Sequence, residues 1–244
     1  MRVPVVRGVI DRRILVNYHV DPTVLSRLLP PPFEPKTVSG KGLAGICLIR
    51  LKAIRPKGLP QFIGISSENA AHRIAVQWHK DGQLRQGVYI HRRDSSSRLN
   101  SILGGRLFPG LHHFAHFLVA ESPQALHVSL QSSDGAVRLL VEAHLTENLQ
   151  PFSVFHDLHQ ASRFFQAGSL GYSPSLTPGT YDALELRTFN WHVLPLQVER
   201  VHSSFFQDPS LFPPGSIEFD SALLMKNITH EWHGQDSMYC EVAA

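Results

Sequence analysis

Cysteine is nearly missing: 244 residues contain only Cys47 and Cys240, far apart and with no short-spaced partner. That excludes a disulfide framework, and both thiols read as buried or incidental groups of a reducing compartment. Charge is sparse, at 18% of residues, and the net charge of +3 is spread along the chain. A nucleic-acid partner needs a basic stripe, so none is expected. No run approaches the ~18 apolar residues of a membrane span. The opening MRVPVVRGVIDRR carries charge throughout and lacks the apolar centre of a signal peptide. A cytoplasmic protein without membrane contact is expected. Also absent are a Gly-x-Ser-x-Gly elbow, a phosphate loop and a dinucleotide fingerprint. No repeat, low-complexity tract or linker divides the chain, so residues 1–244 read as one domain.

What is present is an ordinary apolar fraction of 43%, with 17 Gly and 17 Pro dispersed along the chain. This favours many short strands and turns over a helical bundle. Arg13–Val20 reads as a strand, followed by Asp21-Pro22 as a helix cap and first turn, with the helix running Pro22–Leu29. Strand patterns follow over Gly42–Ile54, Ile63–Gln77 and Gly87–Arg92, the last two joined by the turn dipeptide Asp81-Gly82. A helix is expected over Ser96–Gly104, a hairpin over Leu126–Leu130 and Ala136–Leu145, and a helix over Phe152–Phe165. Gly168–Pro174 and Ala183–Trp191 read as another strand pair. Glu199–Phe206 and Ser221–Thr229 fit either strand or helix.

The most unusual stretch is Arg106–Phe117, RLFPGLHHFAHF, which holds three of the fifteen histidines. Gly104, Gly105, Pro109 and Gly110 mark a bend before them. Strand alternation then puts His112 and His116 on one face and His113 on the other. Imidazole serves as acid, base, metal ligand or hydrogen-bonded core group near neutral pH. For a metal, the geometry is poor: His112 and His116 on a strand stand about 13 Å apart at ~3.3 Å per residue, and no Glu completes a helical zinc motif. No metal and no cofactor is expected.

Arg12–Glu34, RRILVNYHVDPTVLSRLLPPPFE, resembles the N-terminal signature of the YqjF-like uncharacterised proteins, which are related to acetoacetate decarboxylase. Arg55–Pro60, Ser67-Glu68-Asn69, Gly87-Val88-Tyr89, Gly105–Phe114 and Tyr181–Glu199 match further segments in the same order. The resemblance spans about residues 10 to 200. It implies an α+β fold: an acetoacetate decarboxylase-like curved, largely antiparallel β-barrel or cone with a few flanking helices, a central pocket for a small-molecule ligand, and self-association as a homo-oligomer.

The resemblance also supplies candidate site residues. His112 and His113 fall where the decarboxylase has its lysine pair, and an imidazole cannot form the iminium of a Schiff base. Glu68 falls near a pocket carboxylate, either as an acid–base group with His112 and His113 or as the partner of an arginine such as Arg13 or Arg73. Arg13, or with a one-residue shift Arg12, resembles a pocket arginine that would hold a carboxylate. Tyr89 and His116 complete the ligand-binding set, Tyr89 reading equally as core. Arg92-Arg93-Asp94 reads as a solvated strand end and helix cap. Two functions are implied: acid–base chemistry on a small carbonyl or carboxylate compound without a Schiff-base lysine, or non-catalytic binding of a small ligand.

Overall fold

The computed structural model describes residues 4–103 and 109–240. Gly104 and Gly105, the first half of the expected bend, lie outside the described residues. The elements run β1 (Val6–Val20), α1 (Pro22–Leu28), β2 (Glu34–Pro35), β3 (Thr37–Val38), β4 (Lys41–Pro56), β5 (Ile65–Lys80), β6 (Gln83–Ser95), α2 (Arg98–Leu103) and β7 (His113–Glu121). Then come β8 (Ala125–Ser132), β9 (Arg138–Leu145), α3 (Leu158–Ala167), β10 (Leu170–Pro174), β11 (Thr180–Thr188), β12 (Leu194–Ser203) and β13 (Ile217–Tyr239). Of the two stretches that fit either class, Ser221–Thr229 lies inside β13, and Glu199–Phe206 is strand as far as Ser203, the end of β12, and turn beyond it. No described helix is long and apolar enough to cross a membrane.

The strands form one curved, largely antiparallel sheet in which only β6–β7 and β6–β10 run parallel. Two closures make it barrel-like. The long strands β13, β1, β4, β5 and β6 form a wall that β10 and β11 close on one side. On the other side β7, β8, β9 and β12 close the same wall. The wall therefore has a ring on each face. Strands buried on both faces read as unbroken apolar runs, and β1 and β4 do so in Ile14-Leu15-Val16 and Ile46-Cys47-Leu48-Ile49, all buried. Strands with one buried face alternate, as β8 does with Leu126, Val128 and Leu130 and β9 with Leu139, Val141 and Ala143.

Two apolar clusters correspond to the two faces. The larger contains Ile14, Val16, Ile46, Leu48, Ala70 and the inward residues of β8 and β9, and fills the nine-strand ring. The smaller contains Ile10, Leu15, Cys47, Ile49, Leu51, Met225 and Ile228 on the opposite face, and Phe155 and Phe165 close over it. Helix α3 begins later than the apolar spacing predicts. The Asp220 carboxylate accepts from Val154 N at 2.7 Å and Ser153 Oγ at 2.9 Å, tying the chain down as a loop. Asp157 then caps the helix, accepting from Gln160 N at 2.7 Å. Asp21 caps α1 in the same manner, as its sequence signature predicts.

Candidate functional site

The seven-strand ring is incompletely filled. Two adjoining cavities of about 110 and 120 Å³ share Ile49, Ala71, Arg93, Leu184 and Trp232. The outer one is mainly apolar, lined by Leu51, Ile54 and Ile65, with Ser67, Asn69, Arg93, Asp94, Asn100 and His112 as polar groups. The inner one holds Arg13, Cys47, Arg73 and Arg93. No Asp or Glu lines the inner cavity among the described residues.

Register places these cations together. Arg13 lies opposite Ile49 on β4, which lies opposite Asn69 on β5. Arg73 follows Asn69 and Ala71 on the same face by simple alternation. Arg93 lies opposite Ala71. Two irregularities set the parity. Ile10 and Leu15 pack in one cluster although they are five positions apart, an odd step that would otherwise put them on opposite faces, because the pairing shifts between Ile10 and Arg12. The β5–β6 pairing shifts between His72 and Arg73, leaving His91 as an extra residue. Ile90 and Arg93 therefore face the same cavity.

Each arginine is held, and none meets a carboxylate within ion-pair distance among the described residues. Arg13 Nε donates to Cys47 Sγ at 3.2 Å. Arg73 Nη2 donates to Asn17 Oδ1 at 2.7 Å and its guanidinium lies 5.0 Å over the Phe165 ring, while its buried Nε has no partner. Arg93 Nε donates to Ser173 Oγ at 3.0 Å. Burial lowers Arg73 and Arg93 to about 10, so both remain charged at neutral pH.

His112 is half-buried at the outer cavity, its Nδ1 3.0 Å from the Gly110 carbonyl oxygen. Because a carbonyl only accepts, Nδ1 carries the proton and Nε2 keeps its lone pair. Desolvation first, and then the positive charge of Arg93, push the imidazole down to about 4. His230 lies on the same face of the wall, between Ile228 and Trp232 of β13. It is fully buried with both ring nitrogens unpartnered, and burial lowers it to about 4.

The other expected site residues lie elsewhere. Glu68 does not line either cavity. It faces the nine-strand ring, where Arg12 and Arg50 both pair with it, and the same two arginines pair with Glu121. Its arginine partners are thus Arg12 and Arg50 rather than Arg13 or Arg73. Of the adjacent pair, Arg13 borders the cavity and Arg12, 1% exposed, is the buried ion-pair member. Tyr89 is core, packed 5.9 Å from the rings of Phe33 and Tyr181. His113 opens β7 with Nδ1 3.3 Å from the Asp134 carboxylate. His116 is exposed, its ring 5.1 Å from that of Phe114. Of the six expected residues, the structure brings Arg13 and His112 to adjoining cavities. The sequence offers Arg73 only as an ion-pair partner and Arg93 only as a solvated strand end, yet both border the inner cavity. Asp94 is fully buried and bonded to Arg92 at 2.8 Å. Among the described residues no group of three His, Cys, Asp or Glu side chains converges as metal ligands do.

A family model described as an uncharacterized conserved protein, DUF2071, matches residues 10–209. No curated protein matches the sequence. Solved structures with a similar fold include acetoacetate decarboxylase from Legionella pneumophila, with TM-score 0.62 and 13% identity over 98% of this chain and 88% of that one. An acetoacetate decarboxylase-like enzyme from Sphingomonas wittichii RW1 has TM-score 0.60 and 12% identity over 98% and 93%. The enduracididine biosynthesis enzyme MppR complexed with pyruvate has TM-score 0.60 and 10% identity over 97% and 90%. At such identities the likeness speaks for the fold.

Proposed function

The chain belongs to the DUF2071 family of uncharacterised conserved proteins, and we propose that its cavity takes up a small organic anion, a carbonyl-bearing carboxylate. The carboxylate is held by Arg13, Arg73 and Arg93, and the remainder of the molecule lies toward His112. One observation carries this reading: three guanidinium groups border one cavity whose described lining has no acid to neutralise them. Guanidinium forks match carboxylate oxygens, and in a desolvated site that pairing is strong. The apolar walls of the outer cavity suit a short carbon skeleton. Pyruvate, with which MppR is complexed, is a molecule of this class.

His112 then acts through its bare Nε2. It accepts a hydrogen bond from an enol, hydrate or hydroxyl oxygen of the ligand. Arg93 disfavours the imidazolium, so a proton taken up is returned readily. A bound carboxylate offsets the arginine charge and raises the affinity of His112 for that proton. Glu68, committed to Arg12 and Arg50, is a structural ion-pair member in this reading. The carbonyl is not converted to an iminium in this reading, since the described lining of these two cavities has no lysine and Lys36 borders only a third, smaller cavity of about 30 Å³ beside Arg13 and Arg73. Borohydride reduction with acetoacetate followed by mass spectrometry tests that point; a reduced adduct on a lysine overturns it.

The main test is binding. Pyruvate, 2-oxobutyrate and acetoacetate are compared with their neutral amides by calorimetry. The acids are expected to bind, and Arg73→Gln and Arg93→Gln each to weaken them by about 10- to 100-fold, whereas Lys52→Gln at the protein's exterior has no effect. Equal affinity for acids and amides overturns the proposal. A second reading, binding without turnover, is favoured by the low proton affinity of His112. A carbonyl and carboxylate screen separates the two: turnover lost in His112→Gln at unchanged affinity supports chemistry, and saturable binding with no turnover supports a binding protein.

A further inference from the structure

Cys47 has no place in the function as described, yet it borders the inner cavity among the three arginines. We propose that Cys47 is the covalent residue of this cavity: its thiol adds to the carbonyl carbon of a 2-oxo acid whose carboxylate the arginines hold. The inference rests on the anion-binding reading above and deepens it to a substrate class and a bond.

Three observations converge on the sulfur. Arg13 Nε donates to Sγ at 3.2 Å, which fixes the side chain and orients a sulfur lone pair. Across the sheet Cys47 lies between Leu15 on β1 and Ala71 on β5, and the short side chain of Ala71 leaves space over the sulfur. Arg73 is 6% exposed and borders the same cavity, with an unpartnered buried Nε. That N–H requires an acceptor, because an unmet buried donor is costly. A carboxylate oxygen of the ligand satisfies it. Sulfur and donor border the same cavity, and a 2-oxo acid, whose electrophilic carbon is adjacent to its carboxylate, presents a partner for each within one small molecule. Cys240 is the contrasting thiol: it sits at the end of β13, where its Sγ bonds to the Pro31 carbonyl.

The step needs no oxidant and no second reactant. A C–S bond forms, the C=O π bond becomes a C–O single bond, and the thiol proton ends on the former carbonyl oxygen. The product is a thiohemiketal, and its collapse regenerates thiol and oxo acid.

The experiment uses the full chain and pyruvate labelled with ¹³C at the carbonyl. In the wild type the carbonyl signal of bound pyruvate is expected to give way to that of a quaternary sp³ carbon. Cys47→Ser and Cys47→Ala are expected to bind pyruvate without that signal. If neither variant folds, prior alkylation of wild-type Cys47 with iodoacetate must abolish it. The anionic reagent should favour Cys47 over Cys240 by about tenfold more than neutral iodoacetamide does, because a cationic cleft concentrates anions. Pyruvate bound with its carbonyl signal intact, or a signal that survives blocking, overturns the role of Cys47 and leaves the anion cavity standing. Failure of any oxo acid to bind removes both.

Discussion

Arg12 and Arg13 are neighbours in the chain with opposite surroundings. Arg12 is sealed into an ion-pair cluster with Glu68, Glu121 and Arg50, while Arg13 touches a thiol and a cavity. Removing one member of a buried pair leaves its partner's charge uncompensated. Glu68→Gln is therefore expected to destabilise the fold by about 1–3 kcal/mol, since Glu121 still serves Arg12, and to leave anion affinity unchanged. Urea denaturation and calorimetry check the two halves; lost affinity at unchanged stability would return Glu68 to the site. Buried histidines give a second prediction. Desolvation lowers His72 to about 3, and His112 and His230 to about 4, all below the unfolded value of about 6.5. Above that pH they contribute no cost. As the pH falls the unfolded chain binds protons first, so stability declines from about pH 6.5 and the loss is complete only below the folded values. Each full protonation costs on the order of 3 kcal/mol. The urea midpoint should fall between pH 7 and pH 4.5, and His72→Leu should flatten that slope, because neither ring nitrogen of His72 has a partner to lose.

At the scale of elements, close backbone approach decides whether the cavity ring closes. Strand β10 pairs in parallel with β6 at Val88 and Tyr89, immediately after Gly87. A Cβ on Gly87 would stand 2.3 Å from the Leu170 carbonyl oxygen, and backbone cannot yield as a flexible side chain does. Gly87→Ala is expected to push β10 away and cost about 1–3 kcal/mol, read as a lower denaturation midpoint; an unchanged midpoint would show that the β6–β10 contact tolerates the shift. The elements differ in how well they can be read. The Asp-Pro start of α1 and the alternation in β8 and β9 follow from local chemistry. The late start of α3 does not, because it depends on Asp220 from a distant strand. Arg93 is hidden for a similar reason: the register shift at His91 turns it inward, and no residue in Arg92-Arg93-Asp94 announces that shift.

For the whole molecule, the consequential feature is the wall of β13, β1, β4, β5 and β6 that both rings use. Neither ring can lose this wall without opening the other. We therefore expect one unfolding transition, with tryptophan fluorescence and far-ultraviolet circular dichroism superimposing; two separated transitions would count against a single domain. The wall also carries the linkage between ligand and stability. A ligand that binds only the folded chain stabilises it by about 2.7 kcal/mol at 100 times its Kd. Oxo acids should accordingly raise the melting temperature progressively with concentration, and Arg73→Gln should blunt that rise.

Local pattern determined that this chain is strand-rich, and the resemblance put forward an arginine near residue 13 and a histidine near residue 112 as candidate site residues. Those features follow from side-chain periodicity, turn chemistry and a family resemblance carried by short ordered segments. Tertiary structure alone decided that Glu68 and His112 lie on opposite faces of the wall, and that Arg73, Arg93 and Cys47 meet Arg13 across one cavity. The reason is parity: in a strand a single extra residue reverses the facing of everything beyond it, and the shifts near Asp11 and at His91 are set by pairing with neighbouring strands rather than by the residues themselves.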